Sequence, residues 1–149
     1  MPLLNKISES IKTAMKEKDS IKLESLRAVK SALILLQTEK GKGSEIPQSE
    51  EIKTLQKLVK QRKESAEIYI SQNRSDLAEL EINQSKIIES FLPEQISEQE
   101  LRIIIMNIID KNDASGMKDM GKVMGIATKE LNGKADGKTI STLVKSLLI

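Results

Sequence analysis

The chain has 149 residues, which suits one domain or two small ones, and its 31% charged and 38% hydrophobic residues are ordinary for a soluble, folded protein. It contains no Cys and no His, which excludes a structural zinc site, thiol redox chemistry, a cysteine nucleophile and a histidine general base. Tyr69 and Phe91 are the only aromatic residues, so the row of stacking rings that an RNA-recognition motif or single-strand-binding barrel needs is missing.

The longest apolar run, Ala32–Leu36, is too short to span a membrane, and Met1–Lys6 lacks the apolar core of a secretory signal. The expectation is a cytoplasmic protein with no membrane partner. Its formal net charge of +2 is unevenly spread. Residues 1–63 hold 14 basic and 8 acidic side chains, residues 64–113 hold 4 and 11, and residues 114–149 hold 6 and 3. Solvated helices can differ in this way; two cationic surfaces flanking an anionic one would also orient a polyanion.

Apolar residues recur at helical period nearly throughout, with no strand alternation. Ile7, Ile11, Ala14 and Met15 mark a first helix ending near Lys18. Asp19-Ser20 caps a second, whose stripe is Leu23, Leu26, Val29, Leu33 and Leu36. Gly41–Pro47 is a break. Ser49 opens a third helix, with Glu50 and Glu51 in the first turn and a stripe of Ile52, Leu55, Val59, Ala66 and Ile70. After the turn Asn73-Arg74-Ser75, a fourth helix carries Leu77, Leu80, Ile87, Ile88 and Phe91 until Pro93 stops it.

Ser97-Glu98-Gln99-Glu100 reads as a capping box opening a fifth helix, with Leu101, Ile104, Ile105, Ile108 and Ile109 on one face. A loop at 112–116 leads to a sixth helix carrying Met120, Val123, Met124, Ala127 and Leu131. A second loop at 132–137 leads to a seventh carrying Ile140, Leu143, Val144 and Leu147. The expected fold is all-α: an N-terminal four-helix unit over 1–92, a hinge near 92–96, and a C-terminal three-helix unit over 97–149.

Three near-motifs lack the context their chemistry needs. Gly116–Lys122 has the glycine and lysine spacing of a phosphate-binding P-loop, but Val123 stands where a magnesium-binding Ser or Thr belongs and no strand feeds the loop. Ser115-Gly116-Met117-Lys118 matches Ser-x-x-Lys without the partner motifs of penicillin-binding proteins. Carboxylate pairs such as Glu79/Glu81 and Asp110/Asp113 sit on faces expected to be solvated, where shifted pKa values do not arise. No catalytic residue, metal ligand set or cofactor site emerges.

The sixth helix is more informative. Lys118, Lys122 and Lys129 fall opposite its apolar side, with Gly121 and Gly125 between. Each interior Gly costs about 1 kcal/mol of helix stability relative to Ala. Two of them mark a bare strip for close approach, either of a neighbouring helix (the seventh or fifth) or of a sugar-phosphate backbone contacted by the lysines. The stretch Gly133–Lys138, with Lys134 and Lys138 beside a helix N-terminus, is a further phosphate candidate, although Asp136 as the cap would occupy some of its donors. In the first half, Lys53, Lys57 and Lys60 share an outer helix face, usual for solvation, while Lys30 and Arg62 fall inside apolar stripes, where such side chains either lay their stems on the core and pair at the rim, the favoured reading, or bind a ligand.

Five stretches carry a resemblance over nearly the whole chain: residues 23–30 (Leu-Glu-Ser-Leu-Arg-Ala-Val-Lys), 60–69 (Lys-Gln-Arg-Lys-Glu-Ser-Ala-Glu-Ile-Tyr), 91–95 (Phe-Leu-Pro-Glu-Gln), 119–125 (Asp-Met-Gly-Lys-Val-Met-Gly) and 133–137 (Gly-Lys-Ala-Asp-Gly). The chain resembles the YqeY family, also called GatB/YqeY-domain proteins. The resemblance implies an all-helical protein in two parts, the second similar to the tail domain of the GatB component of the glutamine-dependent aspartyl/glutamyl-tRNA amidotransferase, which helps hold tRNA. The tail-matching positions are Gly121, Lys122, Gly125, Gly133, Lys134 and Ala135. The sequence departs at Asp136-Gly137, where that tail typically reads Asn-Pro, which puts an acid beside the phosphate candidate.

Family association also connects such proteins with carbon–nitrogen ligase activity using glutamine as amido donor, yet the likeness covers only the tail and not the ATP-binding body. The expectation is therefore a non-catalytic accessory protein that binds tRNA or another structured RNA through Lys118, Gly121, Lys122, Gly125, Lys129, Gly133, Lys134 and Lys138. The alternative is an interaction module for an amidotransferase or another translation factor.

Overall fold

A computed structural model describes residues 2–41 and 45–149; of the expected break at 41–47, residues 42–44 lie outside the described residues. Among the described residues there are seven α-helices, one 3-10 turn and no strand. The chain divides at the Leu92–Pro93 bond into two compact units, one of four helices and one of three.

The first unit comprises α1 (Leu3–Glu17), α2 (Ser20–Lys40), α3 (Gln48–Ser71) and α4 (Ser75–Glu89). Lys18 takes a left-handed conformation (φ 58°) that ends α1, and the Asp19 carboxylate accepts from the Lys22 amide at 3.1 Å to start α2. Pro47, not Ser49, stands at the N-cap of α3 in an extended conformation (φ −59°, ψ 142°), and no side-chain cap is made. The periodic apolar residues meet in one core of Ile7, Ala14, Leu26, Val29, Leu33, Leu55, Val59 and Ile88. That core stops at Val59 on α3, so the far ends of α3 and α4 pack as a two-helix hairpin around Ala66 and Ala78. Ile70 and Leu80, expected in the buried stripes, are consequently 58% and 37% exposed.

The fourth helix also ends sooner than Pro93 requires. It closes at Glu89, and Phe91 packs on the core from an irregular turn. Lys40 and Glu50 pair at 2.8 Å between α2 and α3. Burial pushes the neighbouring Glu51 carboxyl above its ordinary value, against the opposing pull of the Leu3 amide and Lys6.

The second unit comprises α5 (Glu98–Lys111), a 3-10 turn (Met117–Asp119), α6 (Met120–Glu130) and α7 (Gly137–Leu148). Ser97 Oγ accepts from the Glu100 amide at 3.2 Å, as the capping pattern requires. Leu101, Ile105 and Ile108 from α5, Val123, Ala127 and Leu131 from α6 and its end, and Ile140, Leu143, Val144 and Leu148 from α7 form the core. The α5–α6 connection is tied down twice. The Gly116 amide donates to Leu148 O at 3.2 Å, and the Ser115 amide to Asp119 Oδ2 at 2.8 Å.

Candidate nucleic-acid interface

Helix α6 is short and two-sided. Its inner side, Val123, Ala127 and the following Leu131, is fully buried, with Met120 and Met124 packed beside it. Lys122 and Lys129 stand outside, seven residues and so roughly 10 Å apart along one flank at 1.5 Å per residue. Lys118 is also exposed, but it sits on the 3-10 turn before α6 rather than on the helix. The stretch with P-loop spacing thus folds as loop, 3-10 turn and helix, without a strand to present it.

The two glycines of α6, Gly121 in its first turn and Gly125 in its interior, are open. A Cβ placed on Gly121 or Gly125 would meet nothing within 4 Å. Close packing of α5 or α7 is therefore not why they are glycine. They leave a smooth strip on the outer surface of α6, beside Lys122 and Lys129. Among the described residues none of Lys118, Lys122, Lys129, Lys134 and Lys138 forms an ion pair. An exposed lysine without an internal carboxylate gives up no existing contact when an anion arrives.

The loop between α6 and α7 carries two further positions of opposite character. Lys134 is exposed, whereas Gly133 is buried with φ +77°, a conformation that an L side chain adopts only with strain. Gly133 shapes the loop and the lysine faces out. Lys138 is exposed in the first turn of α7. Asp136 caps that helix, its Oδ1 accepting from the Thr139 amide at 2.6 Å. One of the free amides that would have received a phosphate is thereby engaged.

Arg62 lies half-buried on α3, donating from Nε to Gln84 Oε1 at 3.2 Å and from Nη1 to Leu58 O at 3.2 Å. Gln84 in turn donates to Glu24 Oε2 at 3.3 Å, so the carboxylate partner expected for Arg62 is one glutamine removed. Ile104, Ile108 and Ile126, with Asn107, Lys111 and Glu130, line a notch of about 200 Å³ between α5 and α6, which is smaller than a typical small-molecule pocket. Among the described residues no three His, Cys, Asp or Glu side chains cluster to hold a metal ion.

Sequence reasoning missed one residue of this region. Gln95, just ahead of α5, donates through Nε2 to Gly133 O at 2.7 Å. Nothing local signals a bond across 38 residues; only its place in the matched stretch 91–95 singled it out.

Comparison with known proteins bears on the whole chain. The profile of the family described as Yqey-like protein matches residues 4–148. The chain belongs to the YqeY family. Among its relatives, "Altered inheritance of mitochondria protein 41, mitochondrial" of Meyerozyma guilliermondii is 38% identical over 94 residues, covering 60% of this chain and 46% of that protein. The protein of the same name in Clavispora lusitaniae is 31% identical over 118 residues, covering 76% and 68%. A glutamyl-tRNA(Gln) amidotransferase component, the GatE-type chain of Thermococcus gammatolerans, is 44% identical over 54 residues, 34% of this chain but 9% of that component. This YqeY chain thus spans less than half of the first relative and a small part of the amidotransferase component. No helix of its described residues is long and apolar enough to cross a membrane, and the Meyerozyma and Clavispora relatives are named as mitochondrial.

Proposed function

We propose that this YqeY protein is a non-catalytic accessory factor that binds tRNA, or another structured RNA, on its C-terminal unit. The observation that carries the reading is the open strip of Gly121 and Gly125 beside the exposed, unpaired Lys122 and Lys129. Lys118, Lys134 and Lys138 extend the cationic surface, and the partial likeness to an amidotransferase component named for its tRNA supports the choice of ligand. The chemistry is phosphate attraction without base stacking, since no aromatic ring lies in this unit. The cytoplasm is the compartment that accompanies this reading.

The test is a titration with tRNA at several salt concentrations. With about four phosphates neutralised, log K falls against log salt with a slope near −3 to −4. Unchanged binding after Lys118, Lys122 and Lys134 are replaced by Ala removes the site. Incubation with glutamine, ATP and misacylated tRNA is expected to give no amidated product.

A second reading rests on the same bare strip, which a partner helix from an amidotransferase or another translation factor also fits. Capture from lysate after nuclease treatment separates the two: a translation protein retained without RNA favours the partner helix.

A further inference from the structure

Gln95 lies in the irregular segment ahead of α5, and its side-chain amide donates to two carbonyls, Pro93 O at 2.8 Å and Gly133 O at 2.7 Å. Both partners accept only, so the NH2 end of the amide is the end that faces them. The next residue repeats the connection: the Ile96 amide donates to Lys134 O at 3.0 Å. Consecutive residues 95 and 96 are thus clipped to consecutive residues 133 and 134, within the C-terminal unit.

The clip acts on the loop between α6 and α7, whose far end is fixed by Asp136 capping α7 and whose Ala135 packs against the core. Leu131 ends α6 and Gly137 opens α7. Between them Gly133 sits in its left-handed conformation, and the Lys134 amide donates back to Leu131 O at 2.8 Å. With the Ile96 bond, the backbone of Lys134 is fixed at both its N–H and its C=O, while its side chain stays exposed. Ordering each residue of such a loop opposes about 1–2 kcal/mol of conformational entropy, so bonds that fix it in advance spare that loss when a ligand binds.

We infer that Gln95 is a positioning residue: it pins the Gly133 carbonyl and thereby sets where Lys134 presents its ammonium to a phosphate. The presentation to phosphate rests on the RNA-binding reading above; the pinning rests on the hydrogen bonds alone. Gln95 is itself exposed, so its replacement leaves the hydrophobic core untouched.

The experiment uses the full chain with Gln95→Ala and Gln95→Glu, the second keeping the length but losing the donor and setting a carboxylate against two carbonyls. Hydrogen exchange is followed by mass spectrometry, and tRNA binding is titrated with Lys134→Ala and Lys122→Ala in each background. Loss of one net hydrogen bond is expected to speed exchange across residues 132–136 by up to about tenfold, with the α5 and α7 core amides unchanged. Lys134→Ala weakens binding by the wild type and has a smaller effect beside Gln95→Ala, whereas Lys122→Ala weakens both equally. Unchanged exchange in both Gln95 variants overturns the pinning. An undiminished Lys134→Ala effect overturns the presentation. If neither lysine variant weakens wild-type binding, the RNA reading falls and the presentation with it, while the exchange result still decides the pinning.

Discussion

Helices α3 and α6 both turn an apolar side inward and lysines outward, yet they offer different surfaces. On α3, Lys53, Lys57 and Lys60 stand among the exposed side chains of Gln61 and Glu64, which hold a ligand off the backbone. On α6, Lys122 and Lys129 border two glycines over which nothing projects. Charge attracts a polyanion to either face; only the second lets it lie against the helix. A row of lysines is common on solvated helices, and the missing side chains distinguish the proposed site.

The inner faces should behave alike. Leu55→Ala on α3 and Leu131→Ala at the end of α6 each remove a side chain no more than 2% exposed and should destabilise their unit by about 2–5 kcal/mol in denaturant unfolding. The outer faces should then part. Gly121→Leu or Gly125→Leu fills the strip and should weaken tRNA binding at least tenfold, about 1.4 kcal/mol, while leaving the helix folded. The same binding after either change would erase the distinction between α3 and α6.

Removing Lys122 and Lys129 together should flatten the salt slope by about 2, against no change for Lys53 and Lys57. Gly125→Ala, in the interior of α6, meets no neighbouring atom within 4 Å and should raise thermal stability by up to about 1 kcal/mol, with Gly121→Ala in the first turn raising it less; a loss at Gly125 would mean a close contact exists there after all.

The smallest effect belongs to α3. Because burial raises the Glu51 pKa in the fold, the folded state holds its proton more tightly than the unfolded chain. Stability from this group is therefore full below the ordinary value of 4.5 and lost as pH rises through that value to the raised one. Denaturant midpoints measured across that range should fall with pH in the wild type and fall less in Glu51→Gln.

How much of this was legible depends on range. The caps at Asp19, Ser97 and Asp136 are set within three residues of chain, and the structure places all three where the pattern put them. The all-α class and the apolar stripe of α6 likewise follow from period. Period cannot tell how far a partner helix reaches, which is why Ile70 and Leu80 are exposed at the tip of the α3–α4 hairpin. Nor does a helical wheel foresee that Lys118 belongs to a 3-10 turn set by the Asp119 bond to the Ser115 amide. The wheel located Gly121 and Gly125, but an open strip and a packed one read identically until neighbouring atoms are present. The Gln95 bond to the Gly133 carbonyl and the Arg62–Gln84–Glu24 side-chain chain use chemistry that any glutamine can perform, so no spacing marks their partners.

The most direct measurement is a titration of the isotopically labelled full chain with tRNA, followed by the backbone amide resonances. Shifts concentrated at Gly121, Lys122, Gly125, Lys129 and Lys134, with Lys53, Lys57 and Lys60 unmoved, are the predicted result. Shifts centred on α3, or none on α6 at saturating tRNA, would contradict it.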